Sequence, residues 1–97
     1  MRKKGEGMKE IQKLRARIDT LDDRLLRLLS RRAQLAIEVG HLKRRTGLSA
    51  RSSLRERAIL QRVARANAGP LDAPSVRKIF QMIVRESRRT AIREISK

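Results

Sequence analysis

Apolar side chains recur along the first half of the chain in alternating steps of three and four: Ile11, Leu14, Ile18, Leu21, Leu25 and Leu28, then Leu35, Val39 and Leu42. That spacing lines one face of an α-helix, and residues 11–45 contain no proline and many good helix formers. The pattern predicts a helix over residues 11–45, a rod of about 50 Å at ~1.5 Å rise per residue. Residues 1–10 read as a flexible basic lead-in to a helical domain spanning 11–97. Gly47 and the turn-like residues 46–53 end the rod. Ser52 or Ser53 can cap a second helix holding Arg55, Glu56, Ile59, Leu60 and Val63, and Glu56, three residues past Ser53, fits a capping box. That helix stops at residues 67–70. Asp72 is the expected N-cap of a third helix, with Pro74 in its first turn and Val76, Ile79, Phe80, Ile83, Val84 and Ser87 along one face. The expected fold is therefore all-α, with three helices: long, short and medium.

Ninety-seven residues bury only a thin core. A long apolar seam on so short a chain is most simply covered by a second chain. Phe80 is the only aromatic residue, so packing rests on aliphatic side chains, which suits interdigitated helices. The absence of cysteine excludes a disulfide framework and a thiolate metal site. No apolar run approaches the ~20 residues of a membrane span, and a cytoplasmic location is expected.

One seam position is out of place. Between Leu28 and Leu35 the series calls for an apolar residue, and Arg32 stands there. An unpaired guanidinium within a packed seam costs several kcal/mol unless an anion meets it or the side chain reaches the edge of the seam. Lys43 lies eleven residues further on, close to three turns, and so points to nearly the same side. A small anionic ligand between the two could be gripped at both ends. Arg15 lies seventeen residues before Arg32, ~25 Å along the same rod, too far to share one small ligand. If Arg15 binds ligand, it must do so in a partner subunit's site, so each site would be built from two chains.

A formal net charge of +16 predicts attraction to polyanions and anionic ligands. Nucleic acid is the generic partner of such a charge, but a reader of nucleic acid should carry its arginines on an outer stripe, whereas Arg32 points inward. The chain has no glycine-rich phosphate loop, no paired carboxylates and no zinc spacing, and its lone His41 supports neither a triad nor a metal site. Inward guanidiniums and an ammonium without a nucleophile suit a polycarboxylate reaction that needs only orientation and electrostatic stabilisation.

The segments LRARIDTLDDRLLRLLSRRAQLAIEVGHLK, RERAIL and GPLDAPSVRKIFQMIVRES closely resemble the all-helical AroQ-type chorismate mutase family. The shared motifs are L-R-x-x-I-D-x-L-D, R-x-x-L-A-x-x-V-x-x-x-K, R-E-R and F-Q-x-I-x-x-x-S, covering residues 11–91. The resemblance implies an intertwined homodimer of three-helix chains that converts chorismate to prephenate by a [3,3] Claisen rearrangement, with no cofactor and no metal. It implies that Arg15 crosses to the other subunit's site and that Arg32 holds a carboxylate within its own. Lys43 would bond to a carboxylate and the ether oxygen, Arg55 would support the site, Glu56 would receive the ring hydroxyl, and Ser87 would sit near a carboxylate. Two positions depart from the family pattern. Ala91 stands where a Gln or Glu would donate to the ether oxygen, and Ser52 replaces an aspartate. A neighbour such as Arg88 is the candidate substitute for that donor. These departures keep open a mutase or lyase acting on 4-amino-4-deoxychorismate or isochorismate. They also keep open a non-catalytic basic dimer that binds nucleic acid or a partner enzyme. Small members of the family can depend on a larger partner enzyme for full activity.

Overall fold

The computed structural model describes residues 4–97, and side chains from residue 5 onward. It contains three helices, α1 (Lys4–Thr46), α2 (Ser53–Ala66) and α3 (Ala73–Ile95). The long, short and medium order follows the apolar spacing. The start of α1 does not: residues 4–10, expected as an irregular lead-in, are helical, while residues 1–3 lie outside the described residues. Residues 4–10 carry one large apolar side chain, Met8, three residues before Ile11, and that single position is too little to extend the pattern.

Each helix boundary has a local cause. Gly47 adopts φ 74°, a left-handed conformation that costs glycine least, and the Leu48 amide donates to the Lys43 carbonyl at 2.9 Å, closing the last turn of α1. Ser52 is the N-cap of α2, its hydroxyl accepting from the Arg55 amide at 3.2 Å. The capping box expected between Ser53 and Glu56 does not form, because Ser53 is already the first helical residue. Glu56 is thereby left free for other partners. Asp72 caps α3 by accepting from the Ser75 amide at 2.8 Å, and hydrogen bonding from Ser75 holds its carboxyl below the usual aspartate range.

The chain divides into two compact units, residues 1–31 and 32–97. In the first unit, the seam residues Leu14, Ile18, Leu21, Leu25 and Leu28 are each more than half exposed. The second unit has a small core in which Ile59 and Val63 of α2 meet Val76 of α3, flanked by Phe80 and Val84. Here the covered face of α1 differs from the expected one. Leu35, Val39 and Leu42 are at least half exposed, while Ala33, Ala36, Ile37 and Gly40 are covered to varying degrees. The buried contact is made by small residues, which let two helices approach closely and carry little hydropathy signal.

Gly40 marks that approach. A Cβ added there would stand 3.6 Å from the Ala91 Cβ and 3.5 Å from Ile95 Cγ2, ordinary van der Waals distances. Gly40→Ala is therefore expected to stabilise the protein by about 0.5–1 kcal/mol, the usual gain from replacing an interior helical glycine. Urea unfolding monitored by circular dichroism checks this, and a loss of stability would mean that α1 and α3 are packed too tightly there for one methyl group.

Candidate active site

Within the second unit, the C-terminal part of α1, the start of α2 and the last turns of α3 enclose an open cleft of about 310 Å³. Its floor is aliphatic, with Ala36, Val39 and Ile59 among its residues. Its charged lining consists of Arg32, Lys43, Arg55, Glu56 and Arg88, four cations and one carboxylate. A cleft so lined favours a ligand with more than one negative charge.

Helix geometry places these groups. Arg32, Leu35, Ala36, Val39, Gly40 and Lys43 line the cleft from α1, so the helix presents a cation at either end of an aliphatic stretch. Arg32 is half-buried, and its Nη1 donates to Ser87 Oγ at 2.9 Å. Among the described residues no carboxylate pairs with Arg32. Partial burial, followed by the like charges of Arg55 and Arg62, lowers its pKa from the ordinary arginine value. A guanidinium in that setting is short of an anion, and the Ser87 hydroxyl, itself buried, fixes its direction without neutralising it. At the other end Lys43 Nζ lies 3.4 Å from the Ala50 carbonyl, which holds the ammonium beside the loop that closes the cleft.

Glu56, in the first turn of α2, lines the cleft. Its Oε1 accepts from Arg88 Nη1, and its Oε2 forms an ion pair with Arg51 Nε at 3.5 Å. Arg88 projects from α3 next to Ser87, and sequence spacing gave no sign of its pairing with Glu56 across 32 residues. Ser52 lines the cleft as well as capping α2, so the serine retains the capping that an aspartate would supply there and lacks only the charge. Ala91 is buried, faces the cleft and offers no polar group. Of the residues expected at the site, Arg32, Lys43, Ser52, Arg55, Glu56, Ser87 and Ala91 all line this one cavity. Arg15 belongs to the first unit and is not among them.

The sequence profile of the family described as chorismate mutase type II matches residues 14–91. Among curated relatives, the bifunctional chorismate mutase/prephenate dehydratase of Escherichia coli (strain K12) is 40% identical over 75 residues, which is 76% of this chain. The corresponding protein of Neisseria gonorrhoeae is 45% identical over 69 residues, 71% of this chain. The chain spans about a fifth of the length of these relatives, 19% and 18% respectively. Among solved structures, chorismate mutase form II of Thermus thermophilus superposes with a TM-score of 0.85 at 34% identity, covering 87% of this chain and 96% of that one. The chain belongs to the chorismate mutase type II family, the all-helical AroQ type.

Among the described residues no helix is long and apolar enough to cross a membrane, and no group of His, Cys, Asp and Glu is arranged to hold a metal ion.

Proposed function

We propose that the protein is a chorismate mutase that rearranges chorismate to prephenate as an intertwined homodimer, each site completed by Arg15 of the partner subunit. The observation that carries this reading is Arg32: half-buried, aimed by Ser87, without a carboxylate partner among the described residues, and opening on the same cleft as Lys43 and Glu56. The substrate's carboxylates would supply the missing anions. The seam on α1, whose leucines lie half or more exposed in the single chain, supports a second copy as its cover.

The chemistry follows from these groups. A [3,3] rearrangement breaks a C–O bond as a C–C bond forms, with no proton transferred, so neither a general base nor a nucleophile is required. Arg32 and the partner subunit's Arg15 would each grip a carboxylate, bidentate geometry fixing the chair in which the reacting carbons meet. Lys43 would donate to the ether oxygen, on which negative charge grows in the transition state, and such a donor contributes about 3 kcal/mol. Glu56 would accept the ring hydroxyl with a lone pair not used by Arg88 or Arg51.

Ala91 favours a second reading. A buried residue without a donor faces the cleft, and a related substrate such as 4-amino-4-deoxychorismate would change only the ring substituent near Glu56. The deciding experiment is loss of chorismate ultraviolet absorbance with purified protein, the product being identified chromatographically. Prephenate supports the first reading; consumption of aminodeoxychorismate or isochorismate alone supports the second. On chorismate, Ala91→Gln is expected to raise kcat by roughly tenfold, since position 91 lines the cleft and the amide would supply the second donor. An unchanged kcat would mean that another group already donates to that oxygen.

A further inference from the structure

Glu56 is the one carboxylate among the described residues lining the cleft, and it shares that cleft with Arg32, Lys43 and Arg55. Left to itself, it would compete with the substrate for those cations, because a side-chain carboxylate and a substrate carboxylate offer a guanidinium the same acceptor pair. The structure shows what prevents this. Glu56 and Arg88, together with Val84, line not only the cleft but also a second cavity of about 370 Å³ between α2 and α3, so the pair forms a partition between the two. The second cavity is lined by Arg51, Arg57 and Arg85, with Glu56 as its only acidic group among the described residues. Both oxygens of Glu56 are engaged by arginines that line this second cavity, Oε1 by Arg88 and Oε2 by Arg51. Arg32, by contrast, is left with the neutral Ser87 hydroxyl.

We propose that Arg88, assisted by Arg51, is a positioning residue that holds Glu56 off the substrate-binding cations, keeping the cleft open to a dicarboxylate while Glu56 keeps a lone pair for the ring hydroxyl. The inference rests on the chorismate reading for its substrate, but the clamp itself is a contact among the chain's own side chains. Arg88 acts through Glu56 and not on the substrate. Removing it lets Glu56 turn inward onto Arg32, Arg55 or Lys43, so substrate binding weakens, and neutralising Glu56 removes the need for the clamp.

A double-mutant cycle tests this. Wild type, Arg88→Ala, Glu56→Gln and the double variant are compared by KM and kcat on chorismate, and independently by the Kd for the inert dicarboxylate isophthalate from calorimetry. Arg88→Ala alone is expected to raise KM and the isophthalate Kd roughly tenfold, with a smaller change in kcat, as expected for restoring a competing charge pair. In the Glu56→Gln background the same change should move either constant by less than about twofold. Arg88→Lys, which preserves the pairing charge, should stay close to wild type and guards against loss of folding in the alanine variant. An equal penalty for Arg88→Ala in both backgrounds would overturn the proposal, since Arg88 would then touch the ligand or merely support the helix. Absence of isophthalate binding by the wild type would overturn it too, because no anion cradle would exist to be kept open. If the wild type leaves chorismate unchanged but binds isophthalate with this pattern, the chorismate reading fails and the clamp stands.

Discussion

Arg32→Ala is expected to lower chorismate turnover by about a thousandfold or more, on the order of 4 kcal/mol in transition-state stabilisation, without unfolding the protein. The two parts of this expectation have different origins. On the proposed reading, turnover would fall because a substrate carboxylate would lose its within-chain guanidinium, and alanine supplies no substitute donor. Stability holds, or rises, because the guanidinium is partly desolvated and lies near the like charges of Arg55 and Arg62, while its hydrogen bond goes to the neutral Ser87 hydroxyl. Steady-state kinetics and a thermal melt by circular dichroism measure both. Full activity in the variant would move the site elsewhere. The same substitution also tests the crossing of Arg15. If each site takes Arg32 from one chain and Arg15 from the other, refolding a mixture of Arg32→Ala and Arg15→Ala chains should form hybrid dimers with one intact site. The mixture should then recover about a quarter of wild-type activity, from statistical pairing of equal amounts of the two chains. No recovery, with both variants dimeric, would mean that the two arginines serve the same chain.

The second large effect is expected from the seam. Leu21 and Leu28 are 54% and 57% exposed in the single chain, and they lie two helical turns apart on one face of α1. Burying a leucine contributes about 1.5–3 kcal/mol, and a lysine in its place adds a charge that the interface cannot solvate. If the proposed homodimer is joined through this seam, Leu21→Lys/Leu28→Lys should give a monomer by light scattering and reduce turnover to roughly a hundredth or less, because no partner would then deliver Arg15. A variant that stays dimeric with normal activity would show that another surface joins the chains.

How much of this was legible in the sequence depended on which physical signal each feature leaves. The three-four spacing and the punctuation at Gly47, Asp72 and Pro74 gave three helices in the right order, because helix periodicity and chain breaks are written in local residue types. The inward face of the second half of α1 was less visible. Gly40 makes the close contact with α3 and does not stand out by hydropathy, whereas Leu35 and Val39 do and are exposed. Arg32 was conspicuous because it breaks a pattern, and the structure makes it half-buried at the edge of the cleft, not enclosed within a seam. Arg88 could be anticipated only as a stand-in for a missing donor. Its bond to Glu56 joins α3 to α2 across 32 residues, a relation that no single-helix period encodes. Residues 4–10, read as a flexible lead-in because their only large apolar residue is Met8, continue the helix.

The choice of Ser52 over Ser53 as the cap of α2 couples folding to chemistry at a single hydroxyl. With Ser53 as the cap, Glu56 would stand at the third helical position, where a capping box turns its carboxylate back toward the cap residue's own amide. The carboxylate would then spend its acceptors on the helix's own amides instead of on Arg88 and Arg51. Adjacent serines that look interchangeable in composition thus have unequal roles: Ser52 holds the Arg55 amide and lines the cleft, whereas Ser53 is the first residue of the helix.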